Sequence, residues 1–145
     1  MPKHQEKRTL PFRPEQLFDL VADIGRYPEF LPWCKGARIL ERTEDRVTAD
    51  LVIGYKMFRE KFTSLVTLER PRRISVQYLS GPLAHLKNDW QFEPAGKGGC
   101  ELSFHVEFDF RSHMLGAIME PFFEKALSKM AGAFEERAKQ LYSVF

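Results

Sequence analysis

The sequence predicts an α+β fold in which a curved antiparallel sheet wraps around a long C-terminal helix, with two short helices after the first strand. Apolar residues recur every three or four positions from Leu115 to Tyr142, which is the pattern of one wide helical stripe. The chain before this helix consists of short apolar segments separated by turn residues, a pattern typical of strands. A helix this apolar needs a large apolar partner, which the strands supply. The 145 residues are expected to form a single domain over 1–145.

The N-terminal part predicts one strand and two short helices. His4–Leu10 contains no glycine or proline and is followed by Pro11, so it is predicted as a strand. Pro14 suits the first turn of a helix, and Asp23 suits the cap of a second short helix. The apolar face of the first helix comprises Leu17, Phe18, Val21 and Ala22.

Six more strands are predicted between these helices and the C-terminal helix. Turn residues such as Gly81-Pro82 and the glycine-rich run 96–99 separate them. Because the connections are short, antiparallel hairpins are favoured over parallel crossovers. The predicted strands are Ala37–Glu41, Val47–Ile53, Phe58–Leu68, Ile74–Leu79, Leu86–Glu93 and Glu101–Phe110.

Proline at position 121 predicts that the C-terminal helical region is interrupted. Proline is tolerated in the first turn of a helix and disruptive inside it. We therefore expect a short helix near 112–119, a break, and a long helix from about Glu120. Gly116 and Pro121 are the positions at which we expect the helix to hinge.

Polar residues interrupt two of the apolar strand faces. Glu60 and Ser64 share a face with Phe62, and Asn88 shares a face with Trp90. A polar group on a buried face costs free energy unless it is hydrogen-bonded or solvated, so these positions indicate a cavity that holds water or ligand. For Glu60 a place near a rim, or a paired cation, is an equal alternative.

The predicted interior is hollow and aromatic, as in small-molecule sites of roughly 300 to 1,000 Å³. The alternative is that the same side chains fill a core against one another. The residues predicted to bind a ligand are Phe58, Glu60, Phe62, Ser64, Tyr78, Asn88, Trp90, Phe104, Phe108, Phe122, Phe123, Met130 and Phe134.

Four segments together resemble a known family: 27–34, 58–62, 81–92 and 133–138. In order and spacing they are similar to the coenzyme Q-binding, START-domain family, which also contains the ribosome-association toxin RatA and polyketide cyclases or dehydrases. The resemblance implies a helix-grip, START-like fold with a tunnel between sheet and C-terminal helix. It further implies a non-enzymatic carrier or chaperone of ubiquinone for respiration and quinone biosynthesis. The chain lacks the targeting extension of mitochondrial members, so a bacterial member is expected.

The implied ligand makes specific demands on the site. A quinone offers carbonyl acceptors, for which Asn88 and Ser64 are candidate donors, whereas Glu60 donates only when protonated. No metal and no cofactor are expected, ubiquinone being the bound ligand. We also predict a membrane lip at Leu31, Pro32, Trp33 and Lys35, because tryptophan suits the bilayer interface and lysine suits anionic head groups. Packing of Trp33 in the core is the alternative.

Composition limits the partners and the compartment that the protein is expected to have. The net charge of +2 does not indicate DNA binding, and no apolar run approaches the roughly 20 residues of a membrane span. Cys34 and Cys100 are expected to be free thiols in a reducing compartment. We therefore predict a cytoplasmic protein that contacts a hydrophobic small molecule, with peripheral contact at the inner membrane left open.

Two other functions remain open. A polyketide cyclase or dehydrase would need an acid–base group in the same pocket, and Glu60 and His85 are the only candidates. A RatA-type toxin would contact the ribosome, and the candidate phosphate contacts are Arg70, Arg72, Arg73, Lys3, Lys7 and Arg8. Because the sequence contains no recognised catalytic motif, a binding protein is favoured over an enzyme. The low net charge and the acidic residues interleaved with the basic ones make a solvated face the default over ribosome contact.

Overall fold

The computed structural model describes residues 3–55 and 57–142, and it contains one seven-stranded antiparallel sheet. Strands β2 to β7 form a meander, and β1 pairs with β7, which gives the order β1-β7-β6-β5-β4-β3-β2. The predicted α+β class and the sheet around a helix are confirmed. The strands are β1 Lys3–Leu10, β2 Cys34–Arg42, β3 Arg46–Tyr55, β4 Phe58–Glu69, β5 Arg73–Ser80, β6 Leu83–Ala95 and β7 Gly99–Phe110.

Three helices within the described residues complete the fold. Helix α1 (Pro14–Ala22) and a 3₁₀ helix (Ile24–Glu29) connect β1 at one edge of the sheet to β2 at the other edge. Helix α2 (His113–Tyr142) follows β7 and packs on the concave face. Among the helices described, none combines the length and the apolar content needed to span a bilayer.

The strand faces follow the predicted alternation most clearly in β7. Leu102, Phe104, Val106, Phe108 and Phe110 are buried, and the residues between them are at least partly exposed. Register shifts occur in β2, between β4 and β5, and between β6 and β7. Such bulges bend strands and increase twist, which curves the sheet toward the helix.

Helix α2 is continuous, so the predicted break at Pro121 is wrong. Its first turn is capped by Ser112, whose hydroxyl oxygen accepts a hydrogen bond of 3.1 Å from the Leu115 N–H. Proline at 121 removes the N–H that would bond the Ala117 carbonyl. Both residues are exposed, so water reaches the freed carbonyl and the helix continues.

Ion pairs tie the second half of α2 to the edge strand β1. The Arg8 guanidinium donates to Glu135 at 2.9 Å and also pairs with Glu6. The Glu6 carboxylate pairs in addition with His4 at 3.0 Å. Burial alone would raise the pKa of Glu6, but the hydrogen bonds and charges of Arg8 and His4 together outweigh it and lower that pKa. The ionised form of Glu6 is therefore favoured in the folded protein.

We predict that Glu6→Gln destabilises the protein near neutral pH and not in acid. Because the folded pKa of Glu6 lies below its ordinary value, its stabilising effect is present above that ordinary value and is lost as pH falls through the lowered pKa. Urea unfolding should show a loss of up to about 1 kcal/mol at pH 7 that shrinks as the pH is lowered below the ordinary pKa of a glutamate. Glu41→Gln, at an exposed strand carboxylate without an ion pair in the described chain, is the control. A loss for Glu6→Gln that stays equal as the pH is lowered would contradict the prediction.

Candidate ligand-binding cavity

A cavity of about 150 Å³ lies between the concave face of the sheet and helix α2. It is smaller than the predicted range, because aromatic side chains occupy much of the interior. The wall includes the predicted residues Phe62, Ser64, Asn88, Trp90, Phe104, Phe108, Phe122, Phe123, Met130 and Phe134. The structure thus brings these residues together, and their part in binding a ligand stays a prediction.

Two phenylalanines hold α2 over the cavity. The Phe134 ring packs against Trp90 at a centroid distance of 5.1 Å, and Trp90 in turn packs on Phe104 at 4.4 Å. Eleven positions earlier, Phe123 contacts Phe62 at 5.9 Å and Phe108 at 5.5 Å. The helical residues between the two contacts that face the cavity are Ala126, Leu127 and Met130. The small side chain at 126 leaves space that a larger residue would fill.

Two polar strand residues, Ser64 and Asn88, line this apolar space. The Asn88 amide donates to the His105 carbonyl at 2.9 Å, and its oxygen accepts from the Trp90 indole N–H at 3.3 Å. This leaves one amide N–H of Asn88 without a partner among the described residues. The Ser64 hydroxyl has no hydrogen bond to any described residue. Both side chains can therefore donate to a carbonyl oxygen of a ligand.

Three predicted residues, Phe58, Glu60 and Tyr78, lie outside the cavity wall. Strand β5 begins to pair with β4 only at Thr63, so Phe58 and Glu60 lie on the part of β4 that extends beyond β5. Tyr78 has a structural contact instead, because its hydroxyl oxygen accepts a hydrogen bond of 2.9 Å from the Leu83 N–H across the β5–β6 turn. Gly81 in that turn has φ of 147°, and a Cβ there would lie 2.8 Å from the same hydroxyl.

The predicted membrane lip does not form as expected. Leu31 is 1% exposed in the core, and Trp33 is half-buried and lines the cavity. The segment turns inward because the Trp33 carbonyl accepts from the Gly54 N–H at 2.9 Å, which ties it to β3. Only Pro32 and Lys35 are exposed, and the Lys35 ammonium donates to the Pro32 carbonyl at 2.8 Å. Trp33 packs against the core, as the alternative predicted, and contact of this segment with a membrane stays a prediction.

Val21, Ile24 and Tyr27 close one end of the cavity and were not among the predicted site residues. The apolar face of α1 was the available signal, since Val21 belongs to it and Ile24 continues its spacing. The Tyr27 hydroxyl donates to the Val21 carbonyl. Burial raises the pKa of Tyr27, with smaller contributions from Cys34 and Asp23, so this phenol stays neutral and serves as a wall.

The described cavity wall contains no charged side chain. Both candidate acid–base residues, Glu60 and His85, lie outside it, and no cluster suited to a metal ion occurs within residues 3–55 and 57–142. Cys34 and Cys100 are free and buried. Burial raises the pKa of the Cys34 thiol, and it raises that of Cys100 to about 11, so neither is a thiolate at neutral pH. The arrangement suits apolar binding with one or two hydrogen bonds.

Comparison with known proteins gives three informative similarities. A family profile described as "Polyketide cyclase / dehydrase and lipid transport" matches residues 10–135. The ribosome association toxin RatA of Rickettsia prowazekii is 41% identical over 141 residues, which cover 94% of this chain and 96% of the relative. The mitochondrial coenzyme Q-binding protein COQ10 homolog B of Xenopus laevis is 30% identical over 144 residues, which cover 97% of this chain and 59% of the relative.

A solved structure extends the comparison to the fold. The Zhui aromatase/cyclase from Streptomyces sp. R1128 superposes with a TM-score of 0.83 at 16% identity, and the match covers 98% of this chain and 96% of that protein. At that level of identity the likeness concerns the fold alone. The same sheet and helix therefore occur in relatives whose names differ in function.

Proposed function

Because this chain belongs to the polyketide cyclase/dehydrase and lipid-transport family, we propose that it binds ubiquinone or a related lipid with a carbonyl-bearing ring. The proposed site is the cavity between the sheet and α2, and the proposed role is that of a non-catalytic carrier. The observation that carries the proposal is an apolar, aromatic cavity in which the Ser64 hydroxyl and one amide N–H of Asn88 have no hydrogen-bond partner among the described residues. The similarity to a coenzyme Q-binding relative supports the choice of a quinone.

The size of the cavity defines how such a ligand would fit. A cavity of about 150 Å³ holds roughly one benzene-sized ring. A prenyl tail needs additional volume, so α2 must move away from the sheet, or the tail must leave through the partly exposed wall at Phe122, Ala126 and Met130. Each Å² of tail surface removed from water then contributes about 25 cal/mol.

The direct test is organic extraction and native mass spectrometry of the protein purified from its own kind of cell. A quinone in near-stoichiometric amount is the expected result. If no quinone co-purifies and none binds when it is supplied in detergent, the carrier function is wrong.

The polar contacts give a finer prediction. Ser64→Ala should weaken quinone affinity by about three- to tenfold, because one hydrogen bond contributes about 0.5 to 1.5 kcal/mol. Ser103→Ala, on the convex face of β7, is the matched control and should bind as wild type. Quenching of tryptophan fluorescence during quinone titration provides the measurement, since both Trp33 and Trp90 line the cavity. Equal affinity of Ser64→Ala and wild type would show that the ring does not reach Ser64.

Ribosome association is the second candidate, favoured by the similarity to RatA over nearly the full length of both chains. Most candidate phosphate contacts are already paired, since Arg70 bonds Asp19 at 2.8 Å and Arg73 bonds Asp89 at 2.9 Å. Co-sedimentation with ribosomes that persists at moderate salt would support this function. Loss of co-sedimentation at moderate salt would rule out ribosome association as the function.

A further inference from the structure

Large apolar side chains are exposed at one end of the molecule. Met57, Met114 and Ile118 are 96%, 77% and 47% exposed. The register places them at the same end of the sheet: the β3–β4 turn and the β5–β6 turn lie at the end where β7 finishes and α2 begins. We call Met57, Leu79, Met114 and Ile118 the apolar rim.

The β3–β4 hairpin carries the outermost part of this rim. Residues 58–62 of β4 pair only with β3, because β5 pairing starts at Thr63. The hairpin thus projects beyond its neighbour, with Met57 in its turn. An almost fully exposed methionine on a projecting hairpin gains nothing from the fold of its own chain.

The helical part of the rim leads into the cavity. Met114 and Ile118 lie four residues apart on α2, and the same i, i+4 row of side chains continues with Phe122, Ala126 and Met130, winding around the helix toward the cavity. These last three residues belong to the cavity wall. An apolar path therefore runs from the exposed rim to the proposed ligand site.

Cations flank the apolar rim on the convex side of the hairpin. Arg59 and Lys61 are exposed and have no ion-pair partner among residues 3–55 and 57–142. Lys35 lies beside Arg59, since a Cβ at Gly54 would overlap the Arg59 guanidinium and lie 2.6 Å from Cγ of Lys35. The only acidic side chain within this stretch of β4 before Thr63 is Glu60, which points to the opposite face.

We propose that the apolar rim and these cations form a docking surface for a bilayer with anionic head groups. Methionine side chains enter the interface while Lys35, Arg59 and Lys61 contact the lipid charges, each contributing about fivefold in partitioning. RNA would use the cations and leave the methionines in water. A second copy of this chain would bring the same cations face to face. The proposal rests on the carrier function, because it assigns the membrane from which the cavity would be loaded.

The test is flotation with phosphatidylcholine vesicles that contain or lack phosphatidylserine. Wild type should float with the phosphatidylserine vesicles, and Met57→Asp and Ile118→Asp should each reduce partitioning about tenfold or more. Leu40→Asp is the matched control: Leu40 is also 47% exposed but lies at the opposite end of the sheet, beside the β2–β3 turn. Lys61→Glu should reduce binding to the phosphatidylserine vesicles, and Lys97→Glu, in the β6–β7 turn at the far end, should not.

The outcomes separate docking from ligand binding. The proposed docking surface is wrong if the wild-type protein floats with neither vesicle type. It is equally wrong if Leu40→Asp reduces vesicle binding as much as Ile118→Asp does. It is also wrong if Met57→Asp floats normally while Lys61→Glu loses ribosome co-sedimentation, which would indicate RNA. Quinone supplied in detergent micelles tests the cavity without vesicles. Ile118→Asp should still bind that quinone, so failure of docking and failure of the carrier function give different results.

Discussion

Phe134→Ala is expected to destabilise the protein by about 3 to 5 kcal/mol, the largest stability change we predict for a single residue. Phe134 is 1% exposed and contacts three other rings. Its centroid lies 5.4 Å from Tyr27 and 5.1 Å from Phe30, as well as 5.1 Å from Trp90. Removal of this ring therefore separates α2 from both the 3₁₀ helix segment and β6. The void adjoins the existing cavity, so the side chains around it cannot close it.

Thermal and urea unfolding measure this loss. For a chain of this size about 3 °C in Tm corresponds to each kcal/mol, so a decrease of roughly 10 to 15 °C is expected. Phe58→Ala, at a half-buried ring outside the cavity, is the control and should cost much less. A loss below about 1.5 kcal/mol for Phe134→Ala would mean that α2 is held mainly by other contacts. The helix would then be free to move, contrary to the ring packing seen here.

Most of the fold could be predicted from the alternation of apolar and polar residues along the strands. In β7 strict alternation of five apolar residues with polar ones predicted the buried face, and burial follows it residue by residue. Such alternation is local, since neighbouring side chains of a strand must point to opposite faces. The stripe of α2 was equally local. Its continuity through Pro121 was not, because it depends on whether the freed carbonyl faces solvent.

Where each residue lies along the sheet, relative to the neighbouring strands, could not be predicted from the sequence. Glu60 and Ser64 lie on the same face of the same strand and interrupt it in the same way. Only the register with β5 separates them, because it starts at Thr63 and leaves Glu60 on the projecting hairpin. The inward turn of Leu31 and Trp33 likewise depends on a hydrogen bond to Gly54, which is distant in the chain. Pairing partners of this kind are tertiary information.

Ala126→Phe is expected to abolish quinone binding, with a decrease in affinity of about 100-fold or more. Ala126 lines the cavity between the two ring contacts that hold α2. A phenyl group there is about the size of the ring that a cavity of this volume holds, so it occupies the space of the ligand. Because the phenyl group enters a cavity that is already present, the loss in stability should stay within about 1 to 3 kcal/mol. Tryptophan fluorescence followed during titration with quinone in detergent provides the measurement.

The matched control is Ala117→Phe, the same substitution on the exposed face of the same helix. It should bind quinone as wild type, which separates the filled cavity from any general effect of a larger helical residue. Ala126→Phe should also still float with the phosphatidylserine vesicles, because the apolar rim is unchanged. Normal quinone affinity in a folded Ala126→Phe protein would place the ligand outside this cavity. The exposed path along Met114 and Ile118 would then be the next surface to block, since it is the apolar region that adjoins the cavity wall.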